Sequence, residues 1–389
     1  MKEIGLTKQK MLLIGVAGIF ILALVMLGVM FLGQKKWSGK KMSDNQEVVS
    51  SEKKVNKQNQ QSSNVNIKKN EKLVKLEAGK VFGLTIKSGT NLVMFYEQQN
   101  ILTLDPFFGK KNAISKYPFG EVRSWLWSKG ADKAIVNDAG DYYTYDLNSN
   151  LTNKFRYDID IAIFNKDGNR VIYKYYNSET HQRKIKIADL KGENGQLVVD
   201  NLPYRKVNLN LQPQTNRMCY LPTPDARIKG KLFCLDLDGN NKKSYGGQFG
   251  EDYLWSPNGQ RILTSFAKEE SGNQLVLAVM NKDGGETKGL SFATTVKKCV
   301  WSKDNVNVYC AMIGGAPLDV MLPNAWEEQI FNSADTFWKI NTKTGEKKRL
   351  VELEKIPGAI DAEDLVLDPE ENFLFFRARR DGGLWRLEL

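Results

Sequence analysis

The sequence predicts an all-β body built from a repeated four-stranded unit, preceded by an apolar membrane helix and a polar tether. Three observations carry this reading. A turn-flanked strand pattern recurs at seven spaced positions. The strands alternate apolar and polar residues or are wholly apolar, with no sustained helical period after residue 70. One unbroken apolar run stands near the N-terminus.

Residues 1–10 read as a short cytoplasmic segment, followed by Met11–Leu32, 22 residues of apolar side chains and glycine. About 20 such residues span a bilayer core, where a helix satisfies its own backbone. The run exceeds the roughly 7–15 apolar residues of a cleaved leader, and no A-x-A-like site follows it, so a retained anchor is expected. Lys2, Lys8 and Lys10 before it nearly balance Lys35, Lys36, Lys40 and Lys41 after it, so charge alone does not orient the helix. Residues 33–70 are Lys, Gln, Asn and Ser with few large apolar side chains, which predicts a flexible linker.

The net charge of +11 sits mostly in this region. Residues 1–70 hold 12 lysines against 4 acidic residues, a balance of +8, and the body carries only +3. A nucleic-acid partner is therefore not expected, since it would need basic residues clustered on the folded domain.

From residue 71 the repeat begins. "LWSPNGQRILTSF" at 254–266 reads strand, turn, strand, with Asn-Gly suited to the positive φ of a tight connection. Related stretches are "LWSKGADKAIV", "IFNKDGNRVIYKYY" and "VWSKDNVNVYCAM", with weaker copies "LTIKSGTNLVMFY", "LNLQPQTNRMCYL" and "LVLDPEENFLFFRA". The residues just before the turn are Ile86, Trp127, Phe164, Leu211, Trp255, Trp301 and Leu367, spaced by 41, 37, 47, 44, 46 and 66. That is the period of a four-stranded propeller blade. A third strand and a short fourth strand follow in most copies, as in "KLFCLDLDGNN" and "EKKRLVEL".

The last copy stops at Leu389 after three strands, while "EKLVKLEAG" at 71–79 is a spare strand-like piece ahead of the first. Placing that piece as the outer strand of the last blade closes a ring and removes its open edge. The expectation is a seven-bladed β-propeller over 71–389; a miscounted degenerate copy would make it six or eight.

Trp-Ser-Pro-Asn-Gly at 255–259, Trp-Ser-Lys-Asp-Asn at 301–305 and Cys234-Leu-Asp-Leu-Asp-Gly239 resemble TolB-type, WD-like propeller repeats. The resemblance is strong in two or three copies and loose elsewhere. It implies the fold, which serves many functions.

The four cysteines fall as two neighbouring-strand pairs. With Asp304-Asn305 as the turn, Cys299 and Cys310 stand opposite each other, and Cys219 and Cys234 lie across another hairpin. Candidate disulfides placed this way favour an oxidising compartment, and hence a body on the outer side of the plasma membrane. Four buried thiols are the alternative.

No catalytic, cofactor-binding or metal-ligating set emerges. The one histidine, His181, lies in a loop and excludes multi-histidine metal sites. Asp236, Asp238 and Asp283 sit in Asp-Gly turns that lack the twelve-residue calcium loop. The long interval of 66 contains an insertion, "AMIGGAPLDVMLPNAWEEQIFNSADTFW". Within it, Asn324 and Glu327 suit a capped helix start, and Trp326, Ile330 and Phe331 would give that helix an apolar side. Insertions on one face of a repeat array are frequently where partners bind, so these three are the candidate partner-binding residues, unless they plug the top of the ring or cover a neighbouring blade. Trp127, Trp255 and Trp301 read as packing residues.

The sequence therefore points to a membrane-anchored, non-catalytic module that binds a protein, peptide or envelope polymer. The alternative is a propeller hydrolase or lyase of wall or capsule sugar, which predicts acidic, basic and tyrosine side chains from several blades at one mouth of the channel.

Overall fold

The computed structural model describes residues 63–64, 71–117, 119–155 and 158–389. The expected membrane helix at 11–32, the segment before it and most of the linker lie outside the described residues. Among the described residues no helix is long and apolar enough to cross a membrane. One part of the linker expectation is corrected: Ser63–Asn64 form a two-residue strand paired antiparallel with Lys110–Lys116. The unpaired N–H and C=O groups of that outer strand offer a template to the passing chain.

The body is built of antiparallel four-stranded units in chain order. The first is Phe82–Ile86, Val93–Glu97, Asn100–Leu104 and Lys110–Lys116; the second is Val122–Trp127, Lys133–Asp138, Asp141–Asp146 and Leu151–Lys154. Ile159–Phe164, Arg170–Tyr176, Arg183–Asp189 and Gln196–Val199 make the third. The fourth and fifth share one seven-stranded sheet: Val207–Leu211, Arg217–Pro222, Lys229–Asp236, Lys243–Trp255, Arg261–Ala267, Leu275–Asn281 and Lys288–Gly289. The shared strand, Lys243–Trp255, pairs through its first half with Lys229–Asp236 and through its second half with Arg261–Ala267. Its bend is held by Glu251, whose Oε2 accepts from Gly247 N and Gln248 N at 2.7 and 2.8 Å.

The sixth unit is Cys299–Trp301, Asn307–Met312, Thr336–Asn341 and Lys347–Arg349. The last sheet joins Ala362–Leu367, Phe373–Ala378 and Leu384–Glu388 to the first strand of the body, Leu73–Glu77. Leu73 faces Leu387 and Lys75 faces Trp385 in that ladder. This is the closing-strand pairing expected for residues 71–79. First strands pack on one another between the first and second, third and fourth, and sixth and last units, and the last packs on the first.

All seven expected pre-turn residues, from Ile86 to Leu367, are the final residues of first strands. The turn chemistry repeats and differs in detail from an Asn-Gly hairpin. In all seven copies the residue after the strand accepts from the N–H three residues on, and in five the donor is left-handed: Ala131 to Ser128, Gly168 to Asn165, Gly259 to Ser256, Asn305 to Ser302 and Glu371 to Asp368. Each of those donors has φ between 53° and 67°. Only Gly259, not Asn258, is left-handed in the Pro-Asn-Gly copy. The side chains of Ser128, Asn165, Ser256 and Asp368 also accept from the backbone N–H five residues on. A short polar side chain is needed there because it substitutes for a missing ladder bond.

The apolar clusters lie between neighbouring sheets, as stacked sheet faces require. Tyr96 of the first unit stacks on Trp125 of the second at 4.6 Å, and Phe337 of the sixth lies 4.8 Å from Phe376 of the last. Gly83 permits the closest of these approaches, since a Cβ there would lie 2.2 Å from Trp125 Cδ1. Two of the repeat tryptophans latch adjacent units. Trp127 Nε1 donates to Gly83 O at 2.6 Å, and Trp301 Nε1 to Leu254 O at 3.1 Å.

Candidate functional site

In every unit the first strand starts, and the second strand ends, on the same face of the body, so the loops joined there cluster. That face carries the insertion, residues 313–335. Its helix, α1 (Asn324–Glu327), is one turn long. Asn324 is not the N-cap that the sequence suggested: Pro323 holds that place and no side chain caps it. Asn324 Oδ1 instead accepts from Ala226 N at 2.8 Å, in the loop after the second strand of the fourth unit. Leu322 N donates to Gly272 O in the corresponding loop of the fifth. Arg379 of the last unit donates to the carbonyls of Trp326 and Glu327 and lies 4.1 Å from the Trp326 ring. The insertion is thus strapped across loops of four successive units.

Beneath it sits a buried ion cluster. Lys298 Nζ meets Asp335 at 2.6 Å, Asp361 at 2.5 Å and Ala362 O at 2.9 Å, with all three side chains essentially inaccessible. Trp326 Nε1 and Ser333 Oγ also donate to Asp361, at 2.9 and 3.0 Å. One ammonium serves two carboxylates, and their ionisation divides accordingly. Burial opposes the charged form of Asp361, but Lys298, Trp326 and Ser333 outweigh it and hold its pKa down. For Asp335 burial prevails and pushes the pKa up.

At the rim a second charged chain runs across the fifth, sixth and last units. Lys297 Nζ pairs with Glu327 at 2.7 Å and also feels Asp252 and Arg379. Arg379 approaches Glu363 at 3.8 Å, Arg377 pairs with Glu363 at 2.8 Å, and Arg377 reaches Asp364 at 2.9 Å. Asp252 is buried, and burial raises its carboxyl to about 6, with Lys297 only partly opposing. Burial likewise pushes Glu363 up. A carboxyl raised as far as that of Asp252 can hold or release a proton near neutral pH, which is acid–base capability, though such groups also serve structure alone.

The predicted partner-binding residues separate. Trp326 and Phe331 are 1% and 8% exposed and join Leu275, Leu322 and Ala325 in a small core, whereas Ile330 is 72% exposed. Leu318, 91% exposed on the same insertion, was not singled out, since nothing in its spacing marks it. The cysteines pair as Cys219–Cys234 and Cys299–Cys310, each across directly opposed residues with Cα atoms 4.1 Å apart. His181 is an exposed loop residue whose Nδ1 meets Tyr176 Oη at 3.2 Å. Asp236 and Asp238 are taken up by turn contacts with Asn241, Asn240 and Arg217. Among the described residues no group of three or more His, Cys, Asp or Glu side chains could hold a metal ion.

Sequence reasoning missed the charged chain. Asp252, Lys297, Glu327 and Glu363 are spread over more than 100 positions, and only the packing of successive units gathers them.

No family model and no curated protein matches the chain. Solved structures do. An oligogalacturonate lyase in complex with manganese aligns at a TM-score of 0.61 and 12% identity, covering 85% of this chain and 98% of its own. The oligogalacturonate lyase of Vibrio parahaemolyticus gives 0.59 and 11%, over 85% and 98% of the two chains. The β-propeller domain of Cps50 (Swd1) from Myceliophteria thermophila gives 0.53 and 10%, over 80% and 96%. At these identities the likeness concerns fold alone. The chain is a β-propeller, and the resemblance of its repeats to TolB-type, WD-like propellers holds at that level.

Proposed function

We propose that this chain is a seven-bladed propeller held at the outer side of a plasma membrane by residues 11–32, acting as a non-catalytic binding module for a protein, peptide or envelope polymer. The sheet order supports seven blades, since the shared seven-stranded sheet counts as two. The two cross-strand cysteine pairs favour an oxidising compartment.

The observation that carries the binding role is the insertion. Its inner residues are spent on anchoring it over four units, while Ile330 and Leu318 stand in solvent on a rigidly supported face. Exposed apolar side chains on such a platform are what an interface uses. Capture from detergent-solubilised membranes with the full chain and with an Ile330→Asp, Leu318→Asp variant tests this. The reading expects named partners to be lost from the variant at unchanged thermal stability. An identical set of captured partners would overturn it.

A second reading is favoured by the charged chain that links Asp252, Glu327, Glu363 and Asp364 through Lys297, Arg379 and Arg377, and by the oligogalacturonate lyases that share the fold. Here the site would cleave a wall or capsule sugar chain. Incubation of the full chain with acidic polysaccharides, followed by product chromatography, separates the two. Cleavage that disappears in Asp252→Asn supports the lyase or hydrolase, and intact polymer removes it.

A further inference from the structure

On the part of the same face that the insertion leaves open, the third and fourth units bring together a third charged group. Asp160, near the start of the first strand of the third unit, accepts from both Lys174 Nζ and Arg205 Nη1 through one oxygen, Oδ2. Lys174 is completely buried, and its ammonium also lies 5.3 Å from the Tyr176 ring. Arg205, from the loop between the two units, lies flat on that ring, its guanidinium carbon 3.6 Å from the centroid, with its side chain 47% exposed. Tyr176 is held in turn by His181.

Two cations therefore share one carboxylate, which leaves a positive charge beside a buried lysine. Arg205, 47% exposed, presents that charge to solvent, where an anionic ligand can reach it. Among the described residues, Nε and Nη2 of Arg205 have no partner, and stacking on Tyr176 fixes the plane they lie in. A planar fork with two free parallel donors matches a carboxylate bidentately. The adjoining first strands add Asn208, Asn210 and Ser124. Asn208 and Asn210 are half-buried and Ser124 is exposed, and each offers amide or hydroxyl groups suited to the hydroxyls of a sugar.

We propose that Arg205, stacked on Tyr176 and backed by Lys174, forms a binding site for the carboxylate of a sugar acid, either a free sugar acid or a uronate within a sugar chain. The site is separate from the insertion, so its failure is distinct from failure of the partner-binding reading.

The test is calorimetric titration of the full chain in detergent with glucuronate, a uronate trimer, a glucose trimer and an acidic hexapeptide, with Arg205→Gln and Arg205→Lys alongside. Wild type binds one or both sugar acids and not the neutral trimer; Arg205→Gln weakens binding at least about tenfold, and Arg205→Lys by less, because charge without the planar fork is retained. Equal affinity for monomer and trimer identifies a free sugar acid, and tighter trimer binding identifies a chain. No binding by the wild type, equal binding by a folded Arg205→Gln variant, equal binding of the neutral trimer, or preference for the peptide would each overturn the proposal. Unchanged thermal unfolding of the variants verifies that they are folded.

Discussion

Trp326 of the insertion donates its indole N–H to Asp361 Oδ1 at 2.9 Å, joining the tip of the one-turn helix to the start of the last sheet. Asp361 is also bound by Lys298, which brings in Asp335 from the far end of the insertion. A segment with a single helical turn has little stability of its own. Its conformation is imposed by this buried cluster and by Arg379 gripping the helix carbonyls.

Replacing Lys298 by methionine should therefore be costly. It leaves Asp335 and Asp361 buried without a cation, and breaking such a pair typically costs about 3–5 kcal/mol. Denaturant unfolding measures this. The triple variant Lys298→Met, Asp335→Asn, Asp361→Asn should recover much of the loss, because no uncompensated charge remains. A loss under about 1 kcal/mol for the single variant would contradict the role given to the cluster.

Asp252 sets a pH dependence with a defined sign. Its folded carboxyl, raised to about 6 from an ordinary 3.8, binds its proton more tightly than the unfolded one. Between about pH 4 and 6 the native state thus holds more protons, and stability falls as pH rises through that window. Asp252→Asn should remove this decline and stabilise the protein by about 3 kcal/mol above pH 7. Unfolding curves of both proteins from pH 4 to 8 decide it; parallel curves would contradict the assignment.

The disulfides give a third prediction. Protein isolated from an oxidising compartment and denatured without reductant should show no titratable thiol, since all four cysteines are paired. Reduction should then lower stability by roughly 2–4 kcal/mol per bridge. Four reactive thiols in protein freshly isolated under alkylating conditions would place the body in a reducing compartment instead.

Much of this architecture was legible in the sequence because the repeat is written in local chemistry. Ser128, Asn165, Ser256 and Asp368 close the same kind of turn, and an apolar residue ends the strand before each. The opposed cysteines followed from counting back from Asp304-Asn305. What was not legible depends on closure and on overrides of local preference. Asn324 had the spacing of a cap, yet a loop of a distant unit competes for its side chain. Trp326 had the periodicity of an exposed apolar stripe, yet Lys298, Arg379 and Asp361 surround it. Nor could spacing show that Asp160 would be shared by Lys174 and Arg205.

The central claim is that Leu73–Glu77 closes the ring by pairing with Leu384–Glu388. Lys72 and Glu388 are exposed and joined by a backbone bond of 2.8 Å from Glu388 N to Lys72 O. In a Lys72→Cys, Glu388→Cys variant, peptide mapping by mass spectrometry should find the new cysteines bridged to each other, with the two native bridges intact and a raised unfolding midpoint. Free thiols at 72 and 388 in the folded protein would show that the ring is not closed by this segment.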